Sequence, residues 1–139
     1  LPYREEVSDR EILELSRSHH VLRSSGDTAV VYVLYVSRKA MEPDSLGATL
    51  QDWGIVLYKA ALAEFTKSAP RTASHYEGST ALHEFGHQLG LSHNEESGCL
   101  MNTQVEKAVT ALELPSDVIT DFCETEKQQL ETLYNQFNK

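Results

Sequence analysis

Residues 81–102 read ALHEFGHQLGLSHNEESGCLMN, and this stretch holds three of the chain's six histidines. They stand at His83, His87 and His93, with Glu84 directly after the first and Gly90 between the last two. On a helix, residues four apart lie one above the other, so His83 and His87 present both imidazoles to one point. Glu84 is rotated from His83 by about a third of a turn, close enough to act on a metal-held water without being forced to ligate. A helix cannot easily bring a third ligand to the same point, so the backbone has to turn. Gly90 stands where that turn is needed, since glycine tolerates the left-handed conformation that ends a helix. His93 then swings back to complete the set. Three imidazoles with one position left for water make an open catalytic zinc geometry, whereas a structural site is closed by four protein ligands. The competing reading, a helix that merely exposes a polar face, asks five specified positions to coincide.

The bulk properties frame this site. The chain has 139 residues, 40% hydrophobic and 24% charged, which suits one globular domain spanning 1–139. Its formal net charge is −9. Phosphate backbones repel such a surface, which argues against nucleic acid and anionic membranes as partners. The longest apolar run, Ala29 to Val36, is too short to cross a bilayer and suits a buried strand. A monomer is expected. The chain opens at Leu1 without an initiator Met, so a processed product or a piece of a longer chain is expected, with a lean to an extracytoplasmic setting. The two cysteines, Cys99 and Cys123, are too few for a disulfide scaffold and leave the redox compartment open.

Along the chain, Ser8-Asp9-Arg10-Glu11 forms a capping box. Ile12, Leu15, His19 and Leu22 follow at helical spacing, predicting a helix over 9–23 that Gly26 closes. His19 reads as a half-buried packing residue and His20 as solvated. Thr28–Ser37 is rich in β-branched and aromatic residues and reads as a central strand. Leu46–Leu50 reads as a short edge strand and Gly54–Lys59 as another strand running on into AALAEF, with Trp53 between them as a core or cleft-wall residue. Residues 66–74 read as a loop, and about His75 to Leu89 as a helix. Residues 102–117 permit a short helix before Pro115. Thr125 caps a last helix whose Leu130, Leu133, Tyr134 and Phe137 form an apolar stripe, with Lys139 where a cation suits the dipole.

HEFGHQLGLSH resembles the extended zinc-binding consensus of the metzincin metallopeptidases, and GCLMN resembles their Met-turn. The resemblance implies His83, His87 and His93 as zinc ligands, Glu84 as general base and Met101 as a hydrophobic floor beneath the metal. It also implies an α+β fold: a small mixed twisted sheet, an amino-terminal helix, an active-site helix, the Met-turn and a carboxy-terminal helix. Within that clan the chain is most similar to the archaemetzincins, whose four cysteines bind a second, structural zinc. Cys99 and Cys123 match two of those positions, while Asn94 and Glu126 replace the other two. One catalytic zinc is therefore expected, without a second of that type. A cysteine before the Met-turn methionine also resembles the disulfide-bonded adamalysin pattern. A Cys99–Cys123 bridge, a residual metal site and two buried thiols all remain open.

The resemblance implies a zinc peptidase. Zinc lowers the pKa of its water to about 7, Glu84 takes the proton, and the leaving amine receives it. Some metzincins add a tyrosine two residues after the Met-turn methionine, and Thr103 occupies that place. A peptide is expected to lie extended along the edge strand near Leu46–Leu50, and the acidic surface favours basic or neutral peptides. Two other classes stay open, a catalytically idle zinc-bound peptide-binding module and a small-molecule amidase with the same centre. Intact Glu84 favours an enzyme.

Overall fold

The computed structural model describes residues 5–19, 21–22, 24–50, 54–103, 105 and 118–137. The readings of His20, Trp53 and Lys139, and most of the short helix read over 102–117, lie outside the described residues.

Helix α1, Asp9–His19, starts on the capping box. The Ser8 hydroxyl donates to Glu11 Oε2 at 2.7 Å and the Ser8 amide donates to the same oxygen at 3.0 Å. The helix stops at His19, short of the predicted 23. Its last turn is contested: the Ser18 hydroxyl and His19 Nδ1 both donate to the Leu15 carbonyl, at 2.8 and 2.9 Å. Side chains that bond nearby carbonyls in this way compete with the helical ladder. The Val21 amide then turns to the His19 carbonyl. Beyond that point no core draws the chain inward, since Leu22 is 66% exposed. His19 is exposed and bonded to its own helix, not half-buried in packing. Only Ile12 of α1 is fully buried.

Three strands follow: β1 (Tyr32–Val36), β2 (Gly47–Leu50) and β3 (Gly54–Tyr58). The sheet order is β1-β3-β2, with β1 parallel and β2 antiparallel to β3. The predicted strand over 28–37 is thus shorter, because Ser25 and Thr28 exchange backbone hydrogen bonds around Gly26 at φ +54. It is also an edge strand among the described residues, not a central one. Alternate positions Val33 and Tyr35 stand outward, whereas all five residues of β3 are buried. The apolar run GIVLY, covered on both faces, takes the centre.

The segment after β3 does not stay extended. Lys59–Phe65 forms helix α2, as the strong helix propensity of its alanines favours. Pro70–Thr72 makes one 3₁₀ turn and leads into helix α3, Ala73–Gln88. The core gathers Val7, Ile12, Leu46, Val56, Leu57, Tyr58, Ala61, Leu62 and Tyr76. Helix α4, Glu124–Phe137, closes the chain. Its Leu130 and Leu133 are half-buried, but Tyr134 is 69% exposed and lies off the predicted stripe. Among the described residues no helix is long and apolar enough to cross a membrane. The architecture is α+β with a small mixed sheet, and α3 lies against β2 and β3.

Candidate metal centre

Helix α3 carries His83 and His87 one turn apart, with His83 fully buried. The helix ends in a Schellman motif. The Leu91 amide donates to the Gly86 carbonyl and the Gly90 amide to the His87 carbonyl, both at 3.0 Å, with Gly90 at φ +94. This reversal returns His93 to the helix. Its Nε2 lies 3.2 Å from His83 Nε2 and 3.0 Å from His87 Nε2.

The far side of each helical imidazole fixes its tautomer. His83 Nδ1 lies 2.7 Å from the Leu100 carbonyl and His87 Nδ1 lies 2.9 Å from the Leu91 carbonyl. A carbonyl only accepts, so each Nδ1 carries the proton and each Nε2 turns a lone pair inward. Lone pairs aimed at one point repel unless a cation sits among them. Nitrogens at 2.0–2.1 Å from one tetrahedral zinc are about 3.3–3.4 Å apart, close to the spacing seen. His83, His87 and His93 therefore fit a single metal ion.

Met101 is fully buried and its side chain lies against Gly86, between the two helical histidines. Position 86, between the two helical histidines, has to be glycine, because a Cβ there would overlap Met101 Sδ and lie 3.1 Å from Phe122 Cε1. The Leu100–Met101 segment is held by one carboxylate. Glu126, 1% exposed, accepts from the Leu100 amide at 3.2 Å, the Met101 amide at 2.7 Å and the Cys123 amide at 2.9 Å. Asn94 Nδ2 donates to it at 2.9 Å, and the Asn94 amide donates to the Met101 carbonyl at 2.9 Å. Cys99 and Cys123 are joined by a disulfide, with Cα atoms 4.9 Å apart. Glu96 also lies beside these sulfurs, but bonded to each other they offer no thiolate to a metal.

Glu126 also corrects the reading of α4. Thr125 does not cap the helix; its hydroxyl donates to Glu96 Oε2 at 3.2 Å. The cap is the reach-back of Glu126 to Cys123, three residues earlier. That spacing is visible in the sequence and was the available signal.

Glu84 is 1% exposed and lies against β2. The Thr49 hydroxyl donates to its Oε2 at 2.7 Å and approaches its backbone carbonyl at 2.9 Å. A Cβ at Gly47 would stand 3.0 Å from both Cγ and Oε1 of Glu84 and 2.8 Å from Thr80 Cγ2. Neither Gly47 nor Thr49 is legible as a site residue in the sequence.

With this geometry, a family match decides between chance and kinship. The matrixin profile, of peptidase family M10, matches residues 50–124, just over half of the chain. The chain belongs to the matrixin family. Matrixins are metzincins, so membership makes it a zinc metallopeptidase in general kind, consistent with the three-histidine group. Searches of curated proteins and of solved structures give no match. The narrower likeness to archaemetzincins finds no support here. In this matrixin the four positions of that family's second zinc hold a disulfide and a hydrogen-bonded Asn94–Glu126 pair.

Proposed function

We propose that residues 1–139 form a single catalytic domain that hydrolyses peptide bonds, with one zinc held by His83, His87 and His93 and Glu84 as general base. The observation that carries this reading is the convergence of three imidazole nitrogens, with Glu84 beside the first of them on the helix that supplies two. Zinc held there supplies a Lewis acid for water and for the substrate carbonyl. Glu84 takes the proton of the attacking water and gives it to the leaving amine.

The sheet supports an extended substrate. The Tyr58 amide donates to the Leu46 carbonyl at 3.0 Å. In the antiparallel ladder residues 46, 48 and 50 then bond β3, and residues 47 and 49 turn their main-chain groups to the other edge, which no strand pairs among the described residues. The Gly47 carbonyl accepts from the Ser45 hydroxyl instead of β3, in keeping with that parity. A peptide adding to this edge takes its main-chain bonds beside Glu84. The net charge of −9 favours basic or neutral peptides. The Cys99–Cys123 disulfide supports an oxidising, extracytoplasmic setting.

A peptide-library digest with added zinc tests the reading. Glu84→Gln is expected to lose about 10²–10⁴-fold in rate while retaining parental zinc. Undiminished turnover in that variant, or a parent inert on every peptide, overturns it.

A further inference from the structure

We propose that Thr49 is the positioning residue of this site, coupling the bound peptide strand to the orientation of the Glu84 carboxylate. The inference rests on the peptidase reading above and goes beyond it by assigning a role to the edge strand's own side chain. Three observations carry it. First, the one proton of the Thr49 hydroxyl faces two acceptors on Glu84, Oε2 at 2.7 Å and the backbone carbonyl at 2.9 Å; the carboxylate is the nearer and the stronger, and it belongs to a side chain only 1% exposed. A hydrogen bond to a carboxylate is about twice as strong as a neutral one. In a buried place it also fixes which way the carboxylate plane faces. Second, Gly47 and Thr49 are two apart on one strand and so share a face. Gly47 leaves the space the carboxylate occupies, as its Cβ would stand 3.0 Å from Oε1. Thr49 supplies the donor that holds the group in that space. Third, the β2–β3 register turns the Thr49 main chain to the edge that no strand pairs among the described residues. The same residue thus meets an added peptide strand with its backbone and holds the base with its side chain.

The consequence is specific. Removing the hydroxyl takes away the donor that sets how the carboxylate faces but leaves the strand edge and the histidines in place, so the loss falls on kcat and not on KM or metal. A small displacement of a reacting group costs on the order of 10²-fold. The hydroxyl is what matters, so serine replaces threonine and the isosteric valine does not.

The experiment compares the parent with Thr49→Val and Thr49→Ser on one extended peptide taken from the library digest. Zinc content is measured alongside, with NMR detection of the Thr49 hydroxyl proton in the parent and Glu84→Gln proteins. Thr49→Val is expected to lose about 10–100-fold in kcat, with KM within about threefold and zinc unchanged. Thr49→Ser is expected to keep kcat within about threefold of the parent. The parent should show a hydroxyl proton protected from solvent exchange that shifts in Glu84→Gln. Thr49→Val with parental kcat, or Thr49→Ser as impaired as valine, overturns the inference while leaving the peptidase reading intact. A parent inert on every peptide overturns the peptidase reading; the hydroxyl proton then decides whether Thr49 holds the carboxylate, and its absence overturns that as well.

Discussion

Two halves of the molecule are held together by different physics. Around β3 and α2 the interior is apolar: Val56, Leu57, Tyr58, Ala61 and Leu62 are buried against Ile12, Leu46 and Tyr76. Behind the metal site the interior is polar and cross-linked. There a buried carboxylate gathers four donors, a disulfide ties Cys99 to Cys123, and the His83 ring hangs on the Leu100 carbonyl. Hydrophobic burial is non-directional and depends on area and fit. Hydrogen bonds to a carboxylate have direction, and directional contacts can hold an imidazole at a set angle. The first half stabilises the fold without direction. The second stabilises it too, and also sets where the imidazoles point.

The largest expected break in this contrast is Glu126→Ala. It strands the Leu100, Met101 and Cys123 amides, and each buried unsatisfied group costs about 1–3 kcal/mol, for a sum on the order of 4 kcal/mol. It also frees the peptide that orients His83, so zinc affinity is expected to fall about 10–100-fold. Chemical denaturation and a competitive zinc titration measure the two effects, and unaltered affinity would show that the polar half is merely structural.

Leu62→Ala probes the opposite half. The side chain is 4% exposed in the core cluster, so truncation is expected to cost about 3 kcal/mol. Zinc affinity of the folded protein is expected to stay at the parental value. A matching loss of zinc affinity would erase the division between the halves.

Replacing both Cys99 and Cys123 with alanine opens a loop whose ends are 24 positions apart. On the chain-entropy model this lowers stability by roughly 3 kcal/mol. Because Glu126 still spans the same elements, zinc affinity is expected to fall less than in Glu126→Ala. The two proteins compared in one titration rank the cross-link against the carboxylate.

The smallest effect is electrostatic. Asp121 is held below the usual carboxylate range by the hydrogen bond and charge of Lys127, with help from the Phe122 amide. A carboxyl depressed in the folded state contributes above its unfolded pKa and loses that contribution as pH falls through the lowered value. Lys127, raised by the same partner, contributes below its unfolded pKa and loses this as pH rises through the raised value. Both side chains are exposed to solvent, so Asp121→Asn is expected to trim the stability only slightly on the acid and alkaline flanks. A large change in melting temperature at neutral pH would mean that the start of α4 bears more of the polar half than Glu126 alone.

Spacing alone was enough to bring His83, His87 and His93 together and for the helix that carries two of them. Positions 83 and 87 share a face on any α-helix, and Gly90 marks a helix end whatever surrounds it. The capping box at Ser8, the edge strand near Leu46–Leu50 and the final helix were legible for the same local reason. Where the readings failed, the deciding partner was distant in sequence. Thr28–Ser37 looks central by composition, yet which strand takes the middle of a sheet depends on what covers both of its faces, and here that is β3. His19 and Tyr134 fall at apolar spacing, yet the fold leaves both exposed. AALAEF differs: it follows a strand and folds as a helix through the propensity of its own alanines.

By itself the sequence determined that three histidines converge and where the chain turns between them, because both depend on helical geometry within about ten residues. Only the tertiary structure decided what steadies them. Thr49 reaches Glu84 across 35 positions, and Glu126 reaches Leu100 across 26. No local pattern marks such pairs, because a hydrogen bond depends on distance in space and the chain between its ends leaves that distance undetermined until the core has formed.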